Sequence, residues 1–260
     1  MIILAAIVSA IAWVSPVAAR LAPAASSSQA VRTERPVPFR VGETLTYDVS
    51  WSTFLTAGTV TMTVKEKKPS YGSTAYYIVA EAAPAALLSR LYALYYKADT
   101  LLDVFTLASQ RGSVFSQEGR RTRMKTTIFD QQSGSGTYEL RTASVVKKEL
   151  KLRPETQDAL AAIYRLRTMP LRSGMTVDVP VSENGSLYRL RLVVAGREAV
   201  RSGVGTLQAW KITPTILEGP EGGTDREFTL WISDDARRLP LRIQAGLAIG
   251  SVEVTLRDVR

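Results

Sequence analysis

The alternation of apolar and polar residues is the feature that most restricts the fold of this chain. Between Glu43 and Trp51 every second residue is apolar, and the apolar set is Leu45, Tyr47, Val49 and Trp51. Successive side chains of a β-strand point to opposite faces, so a period of two predicts a strand with one buried face. On that face we expect Tyr47 and Trp51 to be anchors of the core.

Further strand patterns follow along most of the chain, with turn residues between them. The pair Asn184-Gly185 lies between two alternating segments and is a strong signal for a tight hairpin. We find no alternation of strands with helices of the kind that builds parallel sheets. The sequence therefore predicts a mainly β fold: an antiparallel sheet, rolled or barrel-like, with two short helices.

The two predicted helices have apolar residues at helical spacing. The first runs from Ala85 to Tyr95, and the second runs from Glu155 to Arg167 after Pro154. We expect the first helix to pack against the concave face of the sheet, as a plug or as a lid over a ligand. Its candidate ligand contacts are Leu87, Leu91, Tyr92 and Tyr95.

The N-terminal residues predict export. Residues 1–14 are uncharged and apolar, shorter than the roughly 20 residues that span a membrane. Small residues follow, so we expect residues 1–19 to be a signal peptide, with cleavage after Ala24 as the second option. Residues 20–38 are predicted to be a disordered tether. Residues 39–260 form one β-rich domain, with a boundary near residue 150 if it has two lobes.

Two residue types are missing, and their absence excludes several kinds of chemistry. The chain has no cysteine and no histidine, so it has no disulfide, no thiol nucleophile and no imidazole base. We predict no cofactor and no metal site. The formal charge of +9 would suit a lipid or another anionic surface. Export argues against nucleic acid as the partner, which leaves an unknown envelope component.

Charged residues supply the remaining candidates. A basic surface would form if two strand stripes lie side by side: Arg121, Arg123 and Lys125 in one, Arg189 and Arg191 in the other. If they are scattered, they are ordinary solvated faces. Asp234 and Asp235 are interpreted as turn residues rather than an acid–base pair. Glu43 could pair with an arginine.

Three segments resemble a bacterial family of exported proteins catalogued as domain of unknown function 3108. They are 39–51 (FRVGETLTYDVSW), 158–167 (DALAAIYRLR) and 230–240 (LWISDDARRLP). The resemblance implies a mostly β exported domain and assigns no reaction.

These observations favour a non-catalytic periplasmic protein that binds an apolar or amphipathic ligand or a protein partner. The first alternative is a carboxylate-dependent hydrolase of cell-wall glycan, which needs two acids across a cleft. The second is an envelope assembly or structural factor that uses sheet edges. For location, the alternative is an N-terminal anchor in the inner membrane.

Overall fold

A computed structural model describes residues 32–51, 55–85, 93–220, 228–246 and 250–260. Contacts group Thr33–Arg260 into one compact unit. Its strands are β1 (Thr44–Trp51), β2 (Leu55–Ser70), β3 (Ser73–Pro84), β4 (Leu94–Asp103), β5 (Ser109–Glu118), β6 (Arg121–Asp130), β7 (Ser135–Arg141), β8 (Val145–Lys151), β9 (Thr176–Glu183), β10 (Ser186–Ser202), β11 (Gly205–Glu218), β12 (Phe228–Ser233), β13 (Pro240–Gly246) and β14 (Ser251–Val259).

All fourteen strands belong to one antiparallel sheet, as the alternating segments predict. The order across the sheet is β8-β7-β6-β5-β4-β3-β2-β1-β14-β13-β12-β11-β10-β9. The first and last strands therefore pair with each other in the middle of the sheet, and β8 and β9 are its two edges. The sheet is not closed into a barrel. The predicted Asn184-Gly185 hairpin is confirmed, since both residues have positive φ and join β9 to β10.

One helix, α1 (Ala159–Arg167), lies in the described part of the chain and connects the two edge strands. The helix was predicted to begin at Glu155, and it begins four residues later, at Ala159. The reason is that the first helical turn follows Asp158 rather than Pro154. The Asp158 side chain accepts a hydrogen bond from the Ala161 N–H at 3.0 Å, which satisfies an otherwise unpaired donor at the helix start. Before the helix, Gln157 bridges Val181 of β9, so this connection also covers the gap between the edges.

The first predicted helix is not observed in the described residues. Residues 86–92, which include Leu87, Leu91 and Tyr92, lie outside them. Tyr95 lies in β4, so the prediction of helix is wrong at that residue. The Tyr95 hydroxyl donates to Glu81 at 2.7 Å, on the face of the sheet that is opposite to α1.

The face of the sheet that packs against α1 is called the inner wall here. Its largest buried cluster joins Leu45, Tyr47 and Leu256 to Tyr164 of α1. Burial decreases along β1: Leu45 and Tyr47 are 0% exposed, whereas Trp51 is 47% exposed. Trp51 was predicted to be a core anchor, and that prediction is wrong. Alternation places Trp51 on the inner wall, but α1 and its buried cluster do not extend far enough along the sheet to cover it.

Candidate functional site

The end of the sheet at which β1 ends, β5 ends and β6 begins is called the open end. Inner-wall residues here lie opposite one another on neighbouring strands: Trp51 pairs with Val252, and Val49 pairs with Val254. On the other side of β1, Ala82 of β3 pairs with Tyr96 of β4. None of these is buried, and Tyr96 is 39% exposed. The open end therefore has an apolar inner wall that the described residues leave accessible.

Basic side chains continue this wall on β6. Tyr96 pairs with Ser116 of β5, which pairs with Arg123, so the three residues form a row across adjacent strands. Lys125 lies two residues further along the strand and lines an interior cavity. By the same alternation Arg121, Arg123 and Lys125 face inward, and Met124 and Ile128 face outward.

The two predicted basic stripes do not lie side by side. Arg189 and Arg191 of β10 both bind the Asp178 carboxylate, at 3.1 and 2.8 Å, and alternate with Leu190 and Leu192. Leu192 is buried on the inner wall, so the two arginines lie on the outer face. A single basic surface made of both stripes is therefore not formed.

A small cavity of about 70 Å³, lined by both apolar and charged side chains, lies at the inner end of the β6 stripe. It is lined by Asp158, by Lys125 and by the β9–β10 turn with Glu183 and Asn184. The Lys125 ammonium donates to the Asn184 side-chain oxygen at 2.5 Å. Ser182 also lines the cavity, and its hydroxyl is buried without a hydrogen-bond partner among the described residues.

The Asp158 carboxylate accepts several hydrogen bonds that anchor the start of α1. Its Oδ2 accepts from the hydroxyls of Thr100 at 2.6 Å and Ser109 at 2.8 Å, and both donors are fully buried. Gly112 makes room for it, since a Cβ there would come within 2.7 Å of the Asp158 Cβ. Protein atoms surround the carboxylate, and this desolvation raises the pKa of Asp158 although the hydrogen bonds oppose the shift.

Glu183 makes stability depend on pH. Burial raises the pKa of this carboxyl; Lys125 opposes the shift and the nearby Asp158 adds to it. A raised pKa means that the folded protein holds the Glu183 proton more tightly than the unfolded chain. This group therefore lowers stability as pH rises from its ordinary value of 4.5 through the raised value.

We expect Glu183→Gln to raise the free energy of unfolding at pH 7 to 8 and to leave it unchanged near pH 4. The reason is that glutamine cannot ionise and so carries no desolvation penalty at high pH. Urea unfolding of both proteins across this range measures the difference. Glu149→Gln on the exposed face of β8 is the control. A constant difference between variant and parent at all pH values would contradict the assignment.

A buried ion pair lies at the opposite end of the sheet from the open end. The Arg167 guanidinium at the end of α1 binds the Glu43 carboxylate through two hydrogen bonds, at 2.6 and 3.0 Å. The Arg167 side chain is 0% exposed. The prediction that Glu43 pairs with an arginine is confirmed.

The surroundings of Arg167 come from all three segments that carry the family resemblance. Its remaining donors bind the backbone carbonyls of Arg237 and Arg238, both at 3.1 Å. Its guanidinium lies 5.3 Å from the ring centre of Phe39 and 5.1 Å from that of Tyr164. These distances are within the range of cation–π attraction. The three segments therefore meet at one buried cation, next to an open pocket of about 460 Å³ that Phe39, Glu43 and Arg237 help to line.

The Asp234-Asp235 pair belongs to a turn, as interpreted from the sequence. The Asp235 carboxylate accepts from the Ser233 hydroxyl at 2.6 Å and from the backbone N–H groups of Arg237 and Arg238. Asp234 accepts from the Trp210 indole at 2.8 Å. The Asp235 carboxylate thus stabilises the turn between β12 and β13, and the Asp234 carboxylate joins that turn to β11.

The family can now be assigned, because a family model matches residues 46–257 of the chain. The family is described as "Protein of unknown function (DUF3108)". The chain belongs to this family. The DUF3108 match spans most of the sheet and α1, and it confirms the family that the sequence resembles. No curated protein matches the chain.

Solved structures are similar to this DUF3108 protein to different degrees. A β-barrel-like protein of domain of unknown function DUF1849 from Brucella abortus has a TM-score of 0.54 at 12% identity, with 84% of this chain and 97% of that chain covered. An exported protein with a YmcC-like fold from Bacteroides fragilis has a TM-score of 0.36 at 10% identity, with 88% and 100% covered. A lipoprotein from Parabacteroides distasonis has a TM-score of 0.38 at 6% identity, with 86% and 98% covered. The first of these supports a barrel-like fold and carries no function.

The described residues contain neither a membrane-spanning helix nor a metal-binding cluster of acidic side chains. No helix there has the length and apolar character to cross a membrane. Within the same residues, no group of three or more Asp, Glu, His or Cys side chains is arranged to hold a metal ion. The predicted signal peptide lies outside the described residues.

Proposed function

We propose that this protein is a non-catalytic periplasmic binding protein that takes the apolar part of an amphipathic ligand at the open end of its sheet. The observation that carries the proposal is the accessible apolar inner wall, in particular the half-exposed Trp51. The wall residues lie in well-paired strands, so they form an apolar face that needs little rearrangement to bind a chain-like ligand.

The exposure of Trp51 is informative because the same strand buries Leu45 and Tyr47 completely. A tryptophan on the inner wall, in register with Val252, presents a large apolar surface to solvent at the open end. Contiguous exposed apolar surface of this kind marks binding sites more often than chance exposure. A ligand that covers this wall would remove the exposed surface from water, which is a favourable contribution to binding.

The two alternatives receive less support from the same structure. Two acids, Asp158 and Glu183, line one cavity of about 70 Å³. One benzene ring already fills a cavity of about 150 Å³, so a sugar ring has no room between these acids. The second alternative, an assembly or structural factor that uses sheet edges, is disfavoured at the edge strand β8. This strand carries exposed Lys147 and Lys148, and lysine on an edge strand commonly prevents pairing with other sheets.

We expect Trp51→Ala to weaken binding of the apolar fluorescent probe N-phenyl-1-naphthylamine by about tenfold or more, because an aromatic side chain contributes a large share of an apolar contact area. Because Trp51 is half-exposed, the melting temperature should change little. Probe titration by fluorescence and a thermal melt measure the two effects.

Ile128→Ala is the matched control. Ile128 is 40% exposed, close to the exposure of Trp51, and lies on the outer face of β6. This control should bind the probe like the parent protein. Unchanged probe affinity in Trp51→Ala, or an equal loss in both variants, would contradict a binding site at the open end.

A further inference from the structure

We infer that the ligand of the open end is an anionic single-chain lipid whose head group binds Arg121 and Arg123. This inference rests on the proposed function and adds the chemical class of the ligand. It comes from the position of the basic residues on the inner wall, since the apolar wall alone would accept a neutral molecule equally well.

The basic residues lie next to the apolar wall, within the span of one lipid. Tyr96 on β4, Ser116 on β5 and Arg123 on β6 are consecutive partners across the sheet. Neighbouring strands are about 4.8 Å apart, which places the backbone of Arg123 about 10 Å from that of Tyr96. A molecule with its chain against Tyr96 would thus bring a directly attached head group to the arginines.

The Glu118 carboxylate lies between Tyr96 and Arg123 on this part of the inner wall. The Tyr96 hydroxyl donates to Glu118 at 2.8 Å, and the other oxygen of Glu118 lies 3.6 Å from the Arg123 guanidinium. The single Glu118 charge therefore faces two arginines, because Arg121 pairs directly with Glu118 across the β5–β6 hairpin. The excess positive charge is complementary to the net negative charge of an anionic head group, and a zwitterionic head group of zero net charge lacks this complementarity.

Lys125 is not assigned to the head group, although it continues the same stripe. Its ammonium donates to Asn184, and it lies close enough to Glu183 to lower the pKa of that carboxyl. Its charge is thus already balanced inside the small cavity. The excess positive charge lies nearer the open end, at Arg121 and Arg123.

The experiment compares two probes that differ in head-group charge and share one acyl chain: lysophosphatidylglycerol, which is anionic, and lysophosphatidylcholine, which is zwitterionic. Both are titrated calorimetrically into the full protein below their critical micelle concentrations, at low and at high salt. We expect the anionic probe to bind at least tenfold more tightly at low salt, and the preference to decrease at high salt because surface charges are then screened.

The variant Arg121→Gln/Arg123→Gln should lose the preference and keep the affinity for lysophosphatidylcholine. The control Arg189→Gln/Arg191→Gln removes the same charge from the outer face and should keep the preference. Equal binding of both probes by the parent protein would overturn the head-group assignment and leave the proposed function in place. If neither probe binds, both fail. A loss of preference in both double variants would mean that net charge, rather than this site, sets the selectivity, which also overturns the assignment.

Discussion

Arg167→Ala is expected to lower the free energy of unfolding by about 3–5 kcal/mol, the usual cost of removing one partner of a buried ion pair. The substitution leaves the Glu43 carboxylate without its partner at a site where it is only 7% exposed. It also leaves two backbone carbonyls of the β12–β13 turn without their donor. For a domain of this size the melting temperature should decrease by on the order of 10 °C. Chemical and thermal unfolding measure both quantities.

The control for this effect is an ion pair at the surface. Arg257 binds Asp48 at 2.9 Å, and both side chains are about half exposed. Removal of such a pair changes stability by about 0.2–1 kcal/mol, so Arg257→Ala should remain close to the parent protein. Similar losses in Arg167→Ala and Arg257→Ala would show that the buried pair does not hold α1 to β1 and the β12–β13 turn.

A double variant separates the charge from the packing. In Glu43→Leu/Arg167→Met neither charge remains, and apolar side chains of comparable length fill the space. Replacement of a whole buried pair is often close to neutral, so this protein should recover part of the loss seen in Arg167→Ala. Recovery will be incomplete, since the carbonyls of Arg237 and Arg238 still lack a donor.

Local patterns in the sequence predicted the strands better than they predicted burial. Alternation along β1 identifies which residues share a face, and that assignment holds from Leu45 to Trp51. It contains no information on how far α1 extends over the face, so it could not separate the buried Tyr47 from the exposed Trp51. The same limit applies to β6, where alternation shows that the basic residues share a face but not which face it is. Near an open end the inner wall is solvated, and Arg123 can lie there without a desolvation penalty.

Contacts between distant segments could not be predicted from any local pattern in the sequence. Glu43 and Arg167 are 124 residues apart, and only the sheet order, with β1 beside β14, brings their segments together. The start of α1 is different, because a signal was present. Asp158 is a favoured N-cap residue directly before an apolar helical run, whereas the Pro154-Glu155 pair was taken as the start. The acceptor role of Asp158 toward Thr100 and Ser109 has no sequence signature.

Asp158→Ala is expected to destabilise the protein by about 2–4 kcal/mol, because it removes the helix cap and leaves the buried Thr100 hydroxyl without its acceptor, whereas the Ser109 hydroxyl keeps Gln157 as an acceptor at 3.1 Å. The fully buried hydroxyl of Thr100 has its bond to Asp158 at 2.6 Å, and alanine offers no replacement. Asp158→Asn is the informative companion, since asparagine caps helices equally well but has one acceptor oxygen instead of two.

We therefore expect the order of stability to be parent, then Asp158→Asn, then Asp158→Ala, as measured by urea unfolding. Gly112→Ala tests the same contact from the sheet side. Its new methyl group would lie 2.7 Å from the Asp158 Cβ and must push the start of α1 away from β5. If both Asp158→Ala and Gly112→Ala unfold like the parent protein, α1 is not anchored to the inner wall through its first turn. If only the alanine at 158 is destabilising, the cap matters and the hydroxyl contacts adjust. A loss in all three variants means that the sheet and the helix meet at this carboxylate as one packed unit.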